Sequence, residues 1–214
     1  MCWRRSEHET VIVVGLTGSI GMGKSNAAHV LRRLGVPVHD ADAAVHELLG
    51  PGGRAVRKVA ELFPKALNGN RIDRKVLGDQ VFGDTPALRR LEGVLHPLVR
   101  QSSRAFVAAA ARRQLPVVVL DIPLLYESRG EKSVDLVIVV SAPRTIQRQR
   151  VLARPGMTEE KFRAILARQV PDAEKRRRAD YVVLTGGHRG ETYRQLRRIV
   201  TALNGNHVIK GTRR

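Results

Sequence analysis

One segment of the chain constrains its fold more than any other. Residues 18–25 fit the phosphate-binding pattern G-x-x-x-x-G-K-[ST] at each constrained position, which are Gly18, Gly23, Lys24 and Ser25. An apolar run precedes the segment and a helix-like run follows it, which is the context that the pattern requires. Such a loop surrounds phosphate with backbone N–H groups at a helix N-terminus. The segment therefore predicts an α/β protein that binds a nucleoside triphosphate.

The polar groups of this loop have predicted tasks. The Lys24 amine would reach the β- and γ-phosphates, and the Ser25 hydroxyl would bind Mg²⁺, the cofactor that we expect. The residues predicted to contact the nucleotide are Gly18, Ser19, Ile20, Gly21, Met22, Gly23, Lys24, Ser25 and Asn26.

The composition narrows the class of protein. The 214 residues fit one domain, and no run approaches the roughly twenty apolar residues of a membrane span. Cys2 is the only cysteine, so we expect neither an intrachain disulfide nor a cysteine-based zinc site. These features predict a cytoplasmic enzyme without a membrane partner, either a monomer or a weak homo-oligomer.

The net charge of +18 has three candidate origins. They are nucleic-acid binding, a polyanionic small substrate, and an arginine-rich composition without a dedicated target. Aromatic residues make up only 4% of the chain, which argues against a stacking surface for single strands. Nucleic acid is therefore not the expected partner, although a basic nucleic-acid-binding protein stays open as an alternative.

Apolar, β-branched runs alternate with helical patterns along the chain. Each run is short and nearly continuous, as expected for a strand that is buried on both faces of a parallel sheet. The predicted strands are residues 11–16, 36–38, 117–120, 134–140 and 181–184. The predicted helices are residues 24–34, 43–49, 53–63, 74–82, 86–95, 98–112, 145–153, 159–170 and 192–203. The predicted fold class is α/β, with a five-stranded parallel sheet flanked by helices.

A long connection separates the second predicted strand from the third. It covers residues 40–116, whereas a crossover needs only about a dozen residues. We expect helices and no strand in it. We interpret it as a helical insertion over the carboxyl ends of the strands, where ligands of open α/β sheets bind.

Two aspartates, Asp40 and Asp42, follow the second predicted strand, at the edge of the sheet where the phosphate loop lies. An enzyme that phosphorylates an alcohol needs a carboxylate to accept the hydroxyl proton, and a carboxylate can also reach Mg²⁺. Either aspartate could instead cap the helix that follows. We expect a catalytic role for at least one, with Asp42 ahead of Asp40.

Six blocks of sequence occur in a characteristic order and spacing. They are residues 15–21, 35–42 with Asp-Ala-Asp at the end, 95–99 with His-Pro, 121–127 with Pro-Leu-Leu-x-Glu, 168–169 with Arg-Gln, and 179–183. Together these blocks resemble the dephospho-CoA kinase family. The phosphate loop alone is shared by many folds, but its combination with the other blocks is far more restrictive.

The resemblance implies transfer of the ATP γ-phosphate to the ribose 3′-hydroxyl of dephospho-CoA, so ATP and dephospho-CoA are the expected partners. It implies one P-loop kinase domain, residues 11–204, with residues 1–10 and 205–214 as flexible ends. Its expected parts are a core (11–42, 115–145 and 179–204), a helical acceptor-binding insertion (about 43–114) and a helical lid (about 146–178). Another P-loop small-molecule kinase, of nucleoside or shikimate type, is the main alternative.

The resemblance also assigns site residues. Asp42 matches the general base, and Arg150 and Arg154 match arginines of the lid that meet the ATP phosphates. Asp42, Lys24 and Arg150 form the expected catalytic set. The expected acceptor-binding residues are Asp40, Asp42, His96, Pro97, Leu124, Leu125 and Glu127. Asp40 and Asp121 are candidates to reach Mg²⁺ through water, and a simple strand-end aspartate is the other interpretation of Asp121.

Overall fold

The computed structural model describes residues 11–205, and the predicted flexible ends lie outside this range except for Gly205. The chain divides into two compact units. The first, called here the sheet unit, comprises Met1–His39 and Ala109–Arg214, and the second, the helical unit, comprises Asp40–Ala108. The finer limits given above for core, insertion and lid stay predictions.

The secondary structure alternates between strands and helices, as the sequence predicts. In chain order the elements are β1 (Ile12–Thr17), α1 (Lys24–Arg33), β2 (Val38–Asp40), α2 (Ala41–Leu49), α3 (Val56–Leu62), β3 (Leu67–Asn68), β4 (Arg71–Ile72), α4 (Arg74–Val81), α5 (Thr85–Arg112), β5 (Val117–Asp121), β6 (Leu136–Ser141), α6 (Arg144–Leu152), α7 (Glu159–Ala167), α8 (Asp172–Arg178), β7 (Tyr181–Leu184) and α9 (Arg189–Asn204).

The main sheet has the strand order β2-β5-β1-β6-β7. β1 pairs in parallel with β5 and with β6, and β6 pairs in parallel with β7. The predicted five-stranded parallel sheet is therefore confirmed. The chain runs from β1 towards the β2 edge and later from β5 across β1 to β6, so the strand order reverses beside β1. Ligands of open α/β sheets bind at such a reversal, and the phosphate loop follows β1 there.

Two apolar cores cover the two faces of this sheet. On β6, Leu136 and Ile138 pack in a core with residues of α1 and α9, whereas Val137 and Val139 belong to a second core. Successive strand residues point to opposite faces. The strand is thus buried on both faces, which explains why its sequence is continuously apolar rather than alternating.

The helical unit contains a hairpin that the sequence analysis did not predict. β3 and β4 pair antiparallel, with Leu67 opposite Ile72 and Asn68 opposite Arg71. Gly69, whose φ is 59°, supplies the left-handed conformation that a two-residue hairpin turn requires. The expectation of no strand between residues 40 and 116 was wrong because two-residue strands are too short to show a hydrophobic period.

The helix α5 was predicted as two helices that are interrupted at Pro97. The structure instead has one helix of 28 residues with Pro97 inside it. A proline inside a helix removes the hydrogen bond to the carbonyl four residues earlier, here that of Gly93. Both Gly93 and Pro97 are exposed, so water can satisfy that carbonyl and the helix continues. No helix within residues 11–205 combines the length and the apolar character needed to cross a bilayer.

Candidate active site

The phosphate loop has a shape that two of its glycines make possible. A Cβ atom at Gly18 would lie 2.5 Å from a Val140 methyl group, and one at Gly21 would lie 2.5 Å from a Val151 methyl group. Gly21 also has a φ of 77°, which side chains rarely adopt. Within the loop, Ser19 and Met22 are buried, Ile20 and Lys24 are half-buried, and Ser25 and Asn26 are exposed at the start of α1.

Two glutamines from the C-terminal half of the chain bind the backbone groups of Ile20. The Ile20 N–H donates to Oε1 of Gln169 at 3.1 Å, and Nε2 of Gln147 donates to the Ile20 carbonyl at 2.8 Å. Gln147 is on α6 and is only 4% exposed, whereas Gln169 follows α7. The loop is thereby anchored to the segment that the sequence analysis interpreted as a lid.

Met22 anchors the other side of the loop. Its sulfur accepts a hydrogen bond from the Ala142 N–H, and its carbonyl accepts one from the Thr185 hydroxyl at 2.7 Å. Thr185 is buried and follows β7, so the ends of β6 and β7 fix the loop together. A backbone held in this way needs little rearrangement when a phosphate arrives.

Lys24 forms an ion pair with Asp121 at the end of β5. The Lys24 Nζ atom lies 2.7 Å from Oδ1 of Asp121, and the exposed fractions of the two side chains are 18% and 3%. The lysine that is predicted to bind phosphate is therefore paired with a nearly buried carboxylate in this structure. The ion pair also places a carboxylate beside the loop, where an oxygen ligand can serve Mg²⁺.

The two candidate arginines of the predicted lid have different surroundings. Arg150 donates from Nη2 to the Thr185 carbonyl at 2.7 Å and from Nη1 to the Thr185 hydroxyl at 3.3 Å. Because Thr185 also binds the Met22 carbonyl, the Arg150 guanidinium lies at the margin of the phosphate loop. Arg154 is exposed and makes no side-chain hydrogen bond or ion pair within residues 11–205.

The segment after β5 carries three of the predicted acceptor-binding residues. Leu124 is 47% exposed and can contact a ligand, whereas Leu125 is fully buried in the second core. The Glu127 carboxylate accepts a hydrogen bond from the Val170 N–H at 2.9 Å and pairs with Lys175 at 2.8 Å. One Glu127 oxygen thus already binds α8 and the chain before it.

The helical unit holds the remaining predicted residues. Asp40 caps α2, since its Oδ1 accepts from the N–H groups of Asp42 and Ala43, each at 3.0 Å. Asp42 lies in the first turn of α2, is exposed, and makes no side-chain hydrogen bond or ion pair in the described part of the chain. His96 and Pro97 are exposed on α5. The capping role considered for one of the two aspartates thus falls to Asp40.

Comparison with known proteins identifies the family. A sequence profile of dephospho-CoA kinase matches residues 12–189. The chain belongs to the dephospho-CoA kinase family. The match covers the phosphate loop, the helical unit and the segment from α6 to β7, so the family resemblance found in the sequence is confirmed.

Individual relatives agree with this membership of the dephospho-CoA kinase family. The chain is 58% identical to the dephospho-CoA kinase of Paramagnetospirillum magneticum over 77% of each chain. It is 54% identical to that of Novosphingobium aromaticivorans, over 89% of this chain and 94% of the relative. The crystal structure of TT1252 from Thermus thermophilus matches with a TM-score of 0.76 at 38% identity, over 89% of this chain and 96% of that one.

The sequence analysis of this dephospho-CoA kinase family member assigned no role to three residues beside the phosphate loop. Gln147, Gln169 and Thr185 all bind the loop backbone. Gln169 lies in one of the resembling blocks, which is a weak signal. Thr185 is a single polar residue after an apolar run and Gln147 is one of several polar residues of α6, and both contact segments more than 100 residues away.

Removing one partner of the ion pair between Glu127 and Lys175 should destabilise the fold strongly. Lys175 is fully buried and Glu127 is 14% exposed. Replacing Glu127 with Gln would leave a buried ammonium without its counter-charge, which typically costs about 3–5 kcal/mol. We expect Glu127→Gln to lower the free energy of unfolding by that amount in urea titrations. The exposed Glu61→Gln is the matched control and should change it little.

The difference in the free energy of unfolding between wild type and Glu127→Gln should depend on pH. Burial alone would raise the pKa of Glu127, but hydrogen bonds from Lys175, from its own backbone N–H and from Val170, together with the Lys175 charge, lower the pKa below its ordinary value. The unfolded state then binds the proton more readily, so the contribution of Glu127 is complete at neutral pH and is lost as pH falls through its lowered pKa. The gap between wild type and Glu127→Gln should therefore narrow on acidification, and a gap that widens would contradict the assignment.

Proposed function

We propose that this protein transfers the γ-phosphoryl group of ATP to the ribose 3′-hydroxyl of dephospho-CoA, which gives CoA and ADP. In this step the 3′-oxygen forms a bond to the γ-phosphorus, the bond between that phosphorus and the bridging oxygen of ADP breaks, and the hydroxyl proton is accepted by a carboxylate. The observation that carries the proposal is a phosphate loop of kinase type within a chain that matches the dephospho-CoA kinase family over residues 12–189.

The donor half of the reaction rests on the loop and its neighbours. The backbone N–H groups of the loop and the N-terminus of α1 bind the phosphates of ATP. When ATP binds, the Lys24 amine moves from Asp121, whose Oδ1 lies 2.7 Å from Nζ, to the phosphates. Its positive charge then offsets the negative charge of the β- and γ-phosphates. Arg150, at the margin of the loop, supplies further positive charge during transfer.

The acceptor half rests on Asp42. Asp40 is occupied as a helix cap, whereas the exposed Asp42 carboxylate has no protein partner within residues 11–205. A carboxylate without a partner can accept a proton from a bound alcohol. This division of tasks supports Asp42 as the base and Asp40 as the residue that holds the start of α2.

A magnesium ion fits the residues beside the loop. Ser25 offers an exposed hydroxyl and Asp121 a carboxylate, and hydroxyl, carboxylate and phosphate oxygens are the ligands that Mg²⁺ prefers. When bound, the ion would neutralise charge on the β- and γ-phosphates. Ser25 and Asp121 would hold it.

The acceptor is tested with a panel of alcohols. ADP release with ATP and Mg²⁺ is measured with dephospho-CoA, adenosine and shikimate, and without an acceptor as the background. We expect release well above background with dephospho-CoA and much less with the other alcohols. Turnover with another acceptor and none with dephospho-CoA would overturn the proposal.

A further inference from the structure

The middle of the phosphate loop is a tight turn whose central peptide group has two possible orientations. The Met22 N–H donates to the Ser19 carbonyl at 3.1 Å, so a β-turn forms with Ile20 and Gly21 at its centre. Gly21 has a φ of 77°, whereas the φ of Ile20 is not positive, and this combination defines a type II turn. A type I turn closes with the same hydrogen bond but has its central peptide group reversed. Because glycine adopts either conformation readily, the local sequence does not choose between them.

Gln147 holds the central peptide group in one of these orientations. Its Nε2 atom donates to the Ile20 carbonyl at 2.8 Å, and Gln147 is buried on α6. The carbonyl and the N–H of a trans peptide group point in opposite directions. The Gly21 N–H therefore points away from Gln147, whereas in the reversed orientation it would face Gln147.

Gln169 holds the peptide group on the other side of Ile20. Its Oε1 atom accepts from the Ile20 N–H at 3.1 Å. The next residue is fixed as well, because the Val170 N–H donates to Glu127 at 2.9 Å. Both polar backbone groups of Ile20 are thus bound by side chains, and each bond has only one possible direction, since an N–H donates and a carbonyl accepts.

The Gly21 N–H is left available for a ligand. Gly21 is buried, and within residues 11–205 its N–H makes no hydrogen bond. A buried N–H without a partner is uncommon in folded proteins. The N–H groups of a phosphate loop, however, bind phosphate oxygens. The orientation that Gln147 maintains therefore determines where this N–H can meet a phosphate.

From these contacts we propose that Gln147 and Gln169 are positioning residues for ATP, which hold the Gly21 N–H in the orientation that meets the phosphates. Their hydrogen bonds exist before the nucleotide arrives, so binding does not have to turn the peptide group. Gln147 lies three residues before Arg150 on α6, so one helix positions both this N–H and the guanidinium at the margin of the loop. The inference rests on the proposed function in taking ATP as the phosphate donor.

Two neutral substitutions test this inference in the full-length protein. Gln147→Met and Gln169→Met each remove one hydrogen bond and keep an unbranched side chain of similar length. Each should raise the Kd for ATP, measured by calorimetry with Mg²⁺ and without acceptor, about 3- to 10-fold. The KM for dephospho-CoA should stay within about twofold of wild type. Gln149→Met is the matched control, because Gln149 is exposed on the same helix and its side chain makes no hydrogen bond or ion pair among the described residues.

Two acidic substitutions separate hydrogen bonding from packing. An ionised carboxylate accepts hydrogen bonds but cannot donate them. At mildly alkaline pH, Gln169→Glu therefore keeps the bond from the Ile20 N–H. Gln147→Glu loses the bond to the Ile20 carbonyl and favours the reversed peptide group, in which the Gly21 N–H faces α6. Each variant adds one negative charge beside Ile20, so we expect Gln147→Glu to weaken ATP binding about tenfold more than Gln169→Glu.

Thermal melting checks that each variant is folded. If the substitutions at the buried Gln147 unfold the protein, Gln169→Met compared with Gln149→Met decides, because Gln169 is only half-buried. Methionine variants that bind ATP as tightly as Gln149→Met would overturn the inference, as would an equal rise in the Kd for ATP and the KM for dephospho-CoA. Gln169→Glu that binds ATP no better than Gln147→Glu would also contradict it. A wild-type protein that binds ATP but does not phosphorylate dephospho-CoA would overturn the proposed function alone, since calorimetry needs no acceptor.

Discussion

Replacing Asp42 with Asn is expected to lower kcat for CoA formation about 10²- to 10⁴-fold, the range that a general base typically contributes. The amide keeps the size and exposure of the side chain but cannot accept the hydroxyl proton. The Asp42 side chain makes no hydrogen bond or ion pair within residues 11–205, so the substitution should leave the fold and the KM for ATP nearly unchanged. Steady-state kinetics with each substrate varied in turn measures both quantities.

The control for this substitution is Asp79→Asn, which removes an exposed carboxylate from α4 that likewise makes no side-chain hydrogen bond or ion pair within residues 11–205. Its turnover should equal that of wild type. Asp42→Asn with near-normal kcat would exclude Asp42 as the base. A decrease confined to the KM for ATP would place Asp42 on the nucleotide rather than on the acceptor.

Replacing Lys24 with Ala is expected to reduce kcat/KM for ATP at least about 10²-fold, with effects on both kcat and KM. The amine meets the phosphates in the ground state and during transfer, so both parameters depend on it. The substitution also removes the cation that lies 2.7 Å from the nearly buried Asp121. A loss of stability is therefore expected as well, and urea titration separates that loss from the kinetic effect.

Lys132→Ala provides the matched control for Lys24, because Lys132 is exposed and its side chain makes no hydrogen bond or ion pair in the described part of the chain. It should change neither kinetics nor stability. If Lys24→Ala binds ATP as tightly as wild type in calorimetry, the amine does not contact the phosphates, and the donor half of the mechanism fails.

Much of the sheet unit is predictable from the sequence, for a physical reason. Strands buried on both faces are continuously apolar, and β5 and β6 appear as such runs between polar segments. Very short strands, and helices that contain a proline, are harder to predict from the sequence. The hairpin of β3 and β4 is specified by Gly69 and a few flanking residues, and α5 continues through Pro97, where Gly93, whose carbonyl loses its helical partner, is exposed.

The candidate site is predictable only in part. The loop at residues 18–25 is local in sequence, so its pattern identifies it directly. The residues that bind the loop backbone are distant in sequence. Gln169 is 149 positions from its partner Ile20, and Thr185 is 163 positions from its partner Met22.

The most direct test of the central claim is the product formed from dephospho-CoA and ATP by the wild-type protein. Chromatography against authentic CoA, with ³¹P NMR to locate the new phosphomonoester, identifies the phosphorylated hydroxyl. The proposed function predicts CoA carrying its new phosphate on the ribose 3′-oxygen, in amounts equal to the ADP released. ADP release without CoA, or phosphate at another hydroxyl, would contradict it.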